Sequence, residues 1–108
     1  MDNQDKQVMR KILEVLDESK LIPLTRDEFF KGVVFKNATA MILVRIGELA
    51  KHFSNEFQNK HEELQIHKIR GLRNIVAHRY DQLDFEIVWK TFNKDIPILK
   101  SQIEKLLK

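Results

Sequence analysis

The residues best equipped for chemistry fall together in one octapeptide, Arg73-Asn74-Ile75-Val76-Ala77-His78-Arg79-Tyr80. It gathers two guanidiniums, an amide, an imidazole and a phenol. It also closes a stretch, His67 to Tyr80, that holds His67, Lys68, Arg70, Arg73, His78 and Arg79 and no acidic residue. Like charges at helical spacing repel, so a bundle that only had to fold would scatter acids among these bases. An imidazole near neutral pH takes a proton from a hydroxyl or gives one to a leaving group. A guanidinium matches phosphate geometry and stabilises charge that builds on it. In principle these groups suffice for metal-independent cleavage of RNA, where the ribose 2′-OH is the nucleophile. DNA has no such hydroxyl and could not react this way.

Helix geometry complicates a simple site. At about 100° per residue, Arg73 and Tyr80 lie within roughly 20° of each other, whereas His78 sits about 140° from Arg73. One straight helix cannot bring all three to one phosphate. Either the helix ends or bends near His78, or a second subunit completes the site across a two-fold axis. A groove shared by two copies is the favoured solution. The plainer reading stands beside it: His78 as a surface or capping residue, Arg73 as half of an ion pair, Tyr80 packing its ring. Spacing alone does not decide between them.

The elements that must position these residues are helical. The chain has 108 residues, enough for one domain and one core, 1–108. Three Gly and two Pro leave little turn chemistry for many short strands. No Cys is present, which removes disulfides, zinc-thiolate sites and thiol nucleophiles and fits a reducing cytoplasm. The polar start Met1-Asp2-Asn3-Gln4-Asp5-Lys6 is not a signal peptide, and no stretch has the length of a membrane span. A cytoplasmic protein with no membrane association is expected. The net charge of +3 leans only mildly toward a polyanionic partner.

Val8, Ile12, Val15 and Leu16 mark a first amphipathic helix that ends near Lys20 and before Pro23. Thr25 and Glu28 form a capping box, with Leu24 and Phe29 at the staple positions, and Gly32 ends or bends the short helix that follows. Phe35, Ala38, Ile42, Ile46, Leu49, Phe53 and Phe57 trace the next long face. Gly47 lies inside that helix, where it costs stability unless something packs closely against it. Arg45, Glu48 and His52 share another face. The preferred reading is an exposed ion-paired face; the functional one is a second wall of the site, with Glu48 orienting a base.

Asn55 to His61 reads as a polar loop. A third helix opens around His61-Glu62-Glu63, with Leu64, Ile69, Leu72 and Val76 as its stripe. The last segment starts after the N-cap Asp84 and runs Phe85, Val88, Trp89, Phe92, Ile96, Leu99, Ile103 and Leu106. Pro97 kinks it or splits it near Asp95. The expected fold is an all-α, up-and-down four-helix bundle.

Gly71-Leu72-Arg73-Asn74-Ile75-Val76-Ala77-His78-Arg79-Tyr80-Asp81 resembles the R-x-x-x-x-H-x-Y signature of HepT-like toxins, a branch of the HEPN superfamily. Ile46-Gly47-Glu48-Leu49-Ala50, Asp84 through Trp89 and the chain length match that family too, so the resemblance spans most of the chain. It implies a homodimeric HEPN bundle with a metal-independent ribonuclease site, needing no cofactor, in the groove between protomers. Arg73 and His78 would be the catalytic pair, Asn74 and Glu48 supporting residues, and Lys68, Arg70 and Arg79 contacts to RNA. Tyr80 would receive AMP groups from a MntA-like minimal nucleotidyltransferase antitoxin, as in a type VII-like pair. A bulky anionic adduct on the face of Arg73 would block the groove and compete for the guanidinium. The chain departs from the pattern at Gln65-Ile66-His67, where members often carry a tryptophan after a proline. That bears on local packing and on the start of the third helix, and leaves His67 as a surface residue.

Two rivals come from other classes. One is a non-catalytic HEPN binding module that holds a nucleotide or substrate for a nucleotidyltransferase partner, with Arg73 gripping phosphate and His78 a mere contact. The other is a plain helical scaffold, in which Arg73 and Tyr80 matter only to stability. His78→Ala separates the first from the enzyme, because it should abolish cleavage and spare binding.

Overall fold

Four of the helices begin where a short polar side chain takes up an orphan N–H. The computed structural model describes residues 2–21, 25–78 and 84–108, and for 21 and 74–78 the backbone alone. Asp2 caps α1 (Asn3–Glu18) by accepting from the Asp5 N–H. Thr25 caps α2 (Arg26–Lys31) in the expected capping box, with Glu28 returning to the Thr25 N–H. Leu24, the other half of the expected staple, lies outside the described residues. Gly32 ends α2 as expected, and α3 (Val33–Ala50) follows directly.

The expected loop over Asn55–His61 is instead largely a helix, α4 (Asn55–Lys60). Ser54 caps it by accepting from the Phe57 N–H, and buried Phe57 stacks on Phe53 with ring centroids 4.5 Å apart. One cap and one apolar anchor suffice here, so a polar composition was misleading. The third long helix also starts later than expected. Glu62–Leu64 forms only a 3₁₀ turn, Gln65 adopts a left-handed backbone with φ of 52°, and α5 (Ile66–His78) opens after it. The restart falls where the chain departs from the family's proline-tryptophan pattern.

Asp84 caps α6 (Phe85–Lys90) as expected. Thr91–Asp95 is a π-helical turn leading into α7 (Ile96–Leu107), which carries Pro97 in its first turn. The expected split near Pro97 therefore takes the form of a widened turn. The Ile96 N–H reaches back five residues to the Thr91 carbonyl. A proline ring crowds the carbonyl four residues before it and offers no N–H, and a π turn relieves both demands locally.

Among the described residues every element is helical and no strand occurs. α3 is the central element, packing on α5 and α1, while α1 also meets α7. Met9, Ile12, Phe29, Leu43, Ile46 and Ile103 make the driest part of the core. Sandwiched between two helices, α3 buries Thr39, Ala40, Ile42, Leu43, Ile46, Gly47 and Ala50, a wider arc than the single stripe expected. Phe35, Ala38 and Leu49 are only half-buried at its edge, and Phe53 and Phe57 lie beyond its end. No helix among the described residues is long and apolar enough to cross a membrane.

The turn after α3 is pinned from the far end of the chain. Asp5 is only 2% exposed and accepts from the Ser54 N–H and hydroxyl, each at 2.8 Å. Gln4 donates to the His52 carbonyl beside it. Asp5→Ala strands both Ser54 donors. It should cost about 1–3 kcal/mol, seen in urea denaturation as a lower midpoint with an unchanged slope.

Candidate active site

Arg73 lies on the face of α5 that meets α3, and the two backbones approach closely because Gly47 lies opposite. A Cβ on Gly47 would stand 2.9 Å from the Arg73 Cβ, 3.1 Å from the Ile69 carbonyl oxygen and 3.2 Å from the Arg73 nitrogen. Two of those three atoms are backbone and cannot swing aside. The glycine's cost inside a helix thus has a packing reason.

With the helices this close, the next residue of α3 reaches the guanidinium. Glu48 Oε1 lies 3.1 Å from Arg73 Nε, and Glu48 Oε2 lies 2.9 Å from Lys51 Nζ one turn further on. One carboxylate therefore joins a cation on its own helix to a cation on the next. The Arg73 side chain is 34% exposed and the Glu48 side chain 44%. Water screens a pair at that exposure, so its value lies in orientation more than in stability. A hydrogen bond from Lys51 holds the Glu48 carboxyl below its ordinary range; partial desolvation opposes this, and the fields of Arg73, Lys51 and His52 reinforce it. Glu48 is therefore ionised throughout the neutral range.

The expected ion-paired face of Arg45, Glu48 and His52 does not form as a set. Arg45 turns to Glu18 of α1 and contacts both carboxylate oxygens. Glu48 pairs along its own helix with Lys51 and across to Arg73. Sequence reading missed Lys51, although its spacing of three from Glu48 is the usual signal for such a pair.

The remaining candidates are placed as follows. Lys68 and Arg70 are exposed on α5, and His67 is a surface residue as expected. Asn74 and His78 belong to the helical backbone of α5, with their side chains outside the described residues. So is the side chain of Val76. Arg79 and Tyr80 lie wholly outside them, so the expected end or bend near His78 falls at the edge of the described residues. Among the described residues no group of three or more His, Asp or Glu side chains is placed to hold a metal ion.

The family model described as Ribonuclease HepT-like matches residues 8–106, a span that takes in Gly47, Glu48 and the whole octapeptide. The chain belongs to the HepT-like ribonuclease family. "Probable ribonuclease HepT" of Thermococcus cleftensis is 31% identical over 100 residues, covering 89% of this chain and 86% of that protein. A relative provisionally named an RNase in Methanocaldococcus jannaschii is 30% identical over 98 residues, 86% of this chain and 90% of its own. Another, from Caldanaerobacter subterraneus subsp. tengcongensis, is 33% identical over 81 residues, 75% and 72% of the two chains. No solved structure matches the chain. For a HepT-like ribonuclease, the geometry supplies a half-exposed arginine held by a carboxylate that does not titrate near neutrality.

Two glycines in facing helices make a matched test of the close approach. Nothing lies within 4 Å of a Cβ built on Gly71. Gly71→Ala should therefore stabilise the fold by up to about 1 kcal/mol through helix propensity. Gly47→Ala has the same intrinsic gain, but overpacking of about 1–3 kcal/mol opposes it. A lower unfolding midpoint for Gly47→Ala alone is the expected result.

Proposed function

We propose that this chain is the endoribonuclease toxin of a type VII-like toxin–antitoxin pair, cutting RNA without a metal ion. The observation that carries the reading is the Arg73–Glu48 pair, which holds the first residue of the R-x-x-x-x-H-x-Y signature in a HepT-like ribonuclease. Arg73 stabilises charge on the phosphate under attack, His78 moves the proton, and Asn74 supports them. As the ribose O2′ bonds to phosphorus, its proton passes to the imidazole. The P–O5′ bond then breaks, and the leaving oxygen takes that proton from the imidazolium, giving a 2′,3′-cyclic phosphate and a free 5′-hydroxyl. Lys68, Arg70 and Arg79 hold the flanking backbone.

A second copy completes the site in this reading. The outward face of α3 carries Val34 and Met41, 75% and 57% exposed, at a spacing of seven. Arg45 and Glu48 continue the same face. An exposed apolar row of this kind is what a partner covers, and a two-fold contact along it would set two Arg73 side chains about one groove. AMP transfer to Tyr80 by a MntA-like nucleotidyltransferase would add an anionic block there and silence the enzyme.

The test is cleavage of RNA by protein shown by intact mass to carry no adduct. His78→Ala should lower the rate by about 10²–10⁴, and Arg73→Ala by about 10²–10³, with RNA still bound by the histidine variant. Adduct-free wild-type protein that binds RNA and never cuts it would favour the binding module. Co-expression with the neighbouring gene should add the mass of one or more AMP groups at Tyr80.

The pH profile separates the two ionisable partners. Glu48's folded value is depressed below 4.5. Its contribution is therefore present above that ordinary value and lost only as pH falls through the lower one. An acid limb in the neutral range therefore belongs to a group other than Glu48. Glu48→Gln should lower the rate and leave that limb in place; its disappearance would assign it to the carboxylate.

A further inference from the structure

We infer that Lys51 is a phosphate-binding residue of the candidate active site, holding the RNA phosphate next to the one on Arg73. The inference rests on the ribonuclease reading above. Lys51 ends α3 with its backbone still helical, so the helical register extends to its side chain. Four residues on from Gly47, it points within roughly 40° of the residue that touches α5. Ten residues on from Met41, it stands about 80° away from the Val34–Met41 row. A second copy seated on that row leaves Lys51 at the rim of the contact. Its side chain is 40% exposed.

The charges along this edge do not cancel. Glu48 Oε2 meets Lys51 and Oε1 meets Arg73, so one carboxylate serves two cations on two helices. Among the described residues no other carboxylate pairs with either cation. Arg45 differs, because it meets both oxygens of Glu18 and its charge is matched. An ordinary pair at a spacing of three ties one acid to one base. Here the acid is also engaged by Arg73, and one positive charge is left over beside the octapeptide. Arg70 adds to it, being exposed and within about 60° of Arg73 on α5.

The carboxylate between the two cations decides how phosphate binds. A single phosphate placed to touch both would stand against Glu48, which is ionised at neutral pH, and like charges repel. Each cation therefore takes its anion on a side that Glu48 does not cover. An ammonium has three donors and a guanidinium five, so contact with one carboxylate oxygen leaves donors on both. Lys51 Nζ and Arg73 Nε are no further apart than two such contacts and the width of a carboxylate. Anion positions beside nitrogens so close are within reach of successive phosphates of one strand. Glu48 spaces the two.

The test titrates the full chain with a single-stranded 2′-O-methyl oligoribonucleotide, which lacks the nucleophile, over a range of salt. Each phosphate contact to a single strand contributes about 0.7 to the slope of log affinity against log salt. Lys51→Gln should lower that slope by about 0.7 and Lys51→Arg should hold it. Lys105→Gln, which removes the same charge from α7, should leave it as it is. An Arg73→Ala background tells a direct contact from a lysine that acts only through Glu48 on Arg73. There Lys51→Gln should still take away about 0.7. No binding by the wild type, an unchanged slope, a loss matched by Lys105→Gln, or a loss that vanishes without Arg73 overturns the inference. Cutting of the matching unmodified RNA by wild-type protein keeps the two readings apart. RNA cut with a slope indifferent to Lys51 removes this contact alone, and a Lys51-dependent slope without cutting removes the ribonuclease reading alone.

Discussion

Glycine inside a helix costs about 1 kcal/mol relative to alanine, and at position 47 that cost admits the contact on which the site depends. Only a missing Cβ lets α3 approach α5 closely enough to stand within van der Waals contact of the Arg73 backbone. That approach sets the reach of Glu48. A carboxylate at the next residue of α3 then meets Nε of an arginine on the facing helix. Move the two helices apart by the radius of a methyl group and both consequences weaken together. The core seam and the candidate active site are thus one piece of geometry, and a change that loosens one loosens the other.

Two carboxylates in this chain show how burial decides what an acid does. Asp5 is almost wholly buried, and both of its oxygens accept from Ser54. Its worth is structural, because removing it would leave buried donors without partners. Glu48 stands nearly half exposed between two cations, where screening leaves little stability to gain. What remains is orientation. Lys51 on the same helix restrains the carboxylate, and the restrained carboxylate restrains Arg73. An arginine fixed before substrate arrives loses less freedom on binding phosphate.

The parts of the fold legible in the sequence were those set by local chemistry. The Thr25–Glu28 capping box and the Asp84 cap each need only residues within one turn, so composition and spacing suffice. The split before Pro97 is likewise a backbone fact, although its form as a π turn depends on how α6 and α7 share the core. The misses have tertiary causes. α4 is short and polar, and it is ordered by Phe57 stacking on Phe53 and by Ser54, itself held from α1. α3 buries a wide arc because two helices flank it, which no single stripe reveals. At the site, Arg73 and Glu48 were each visible as candidates, yet the sequence offered an ion-paired face of α3 as the preferred partner set. The pairing across to α5 follows from Gly47, whose role as a contact point appears only when the facing helix is in place.

The absence of acids from His67 to Tyr80 now has a structural counterpart. Where α5 needs a counter-charge, a neighbouring element supplies it. Glu48 comes from α3 and pairs with Arg73. An acid placed on α5 itself at helical spacing would sit beside these bases permanently and compete with phosphate for every one of them. An acid presented from another helix meets only the residue it faces. It can hold Arg73 through Nε while Lys68 and Arg70 remain exposed along the same helix. Separating the bases and their acids onto different elements lets one short helix be both fixed in place and open to a polyanion.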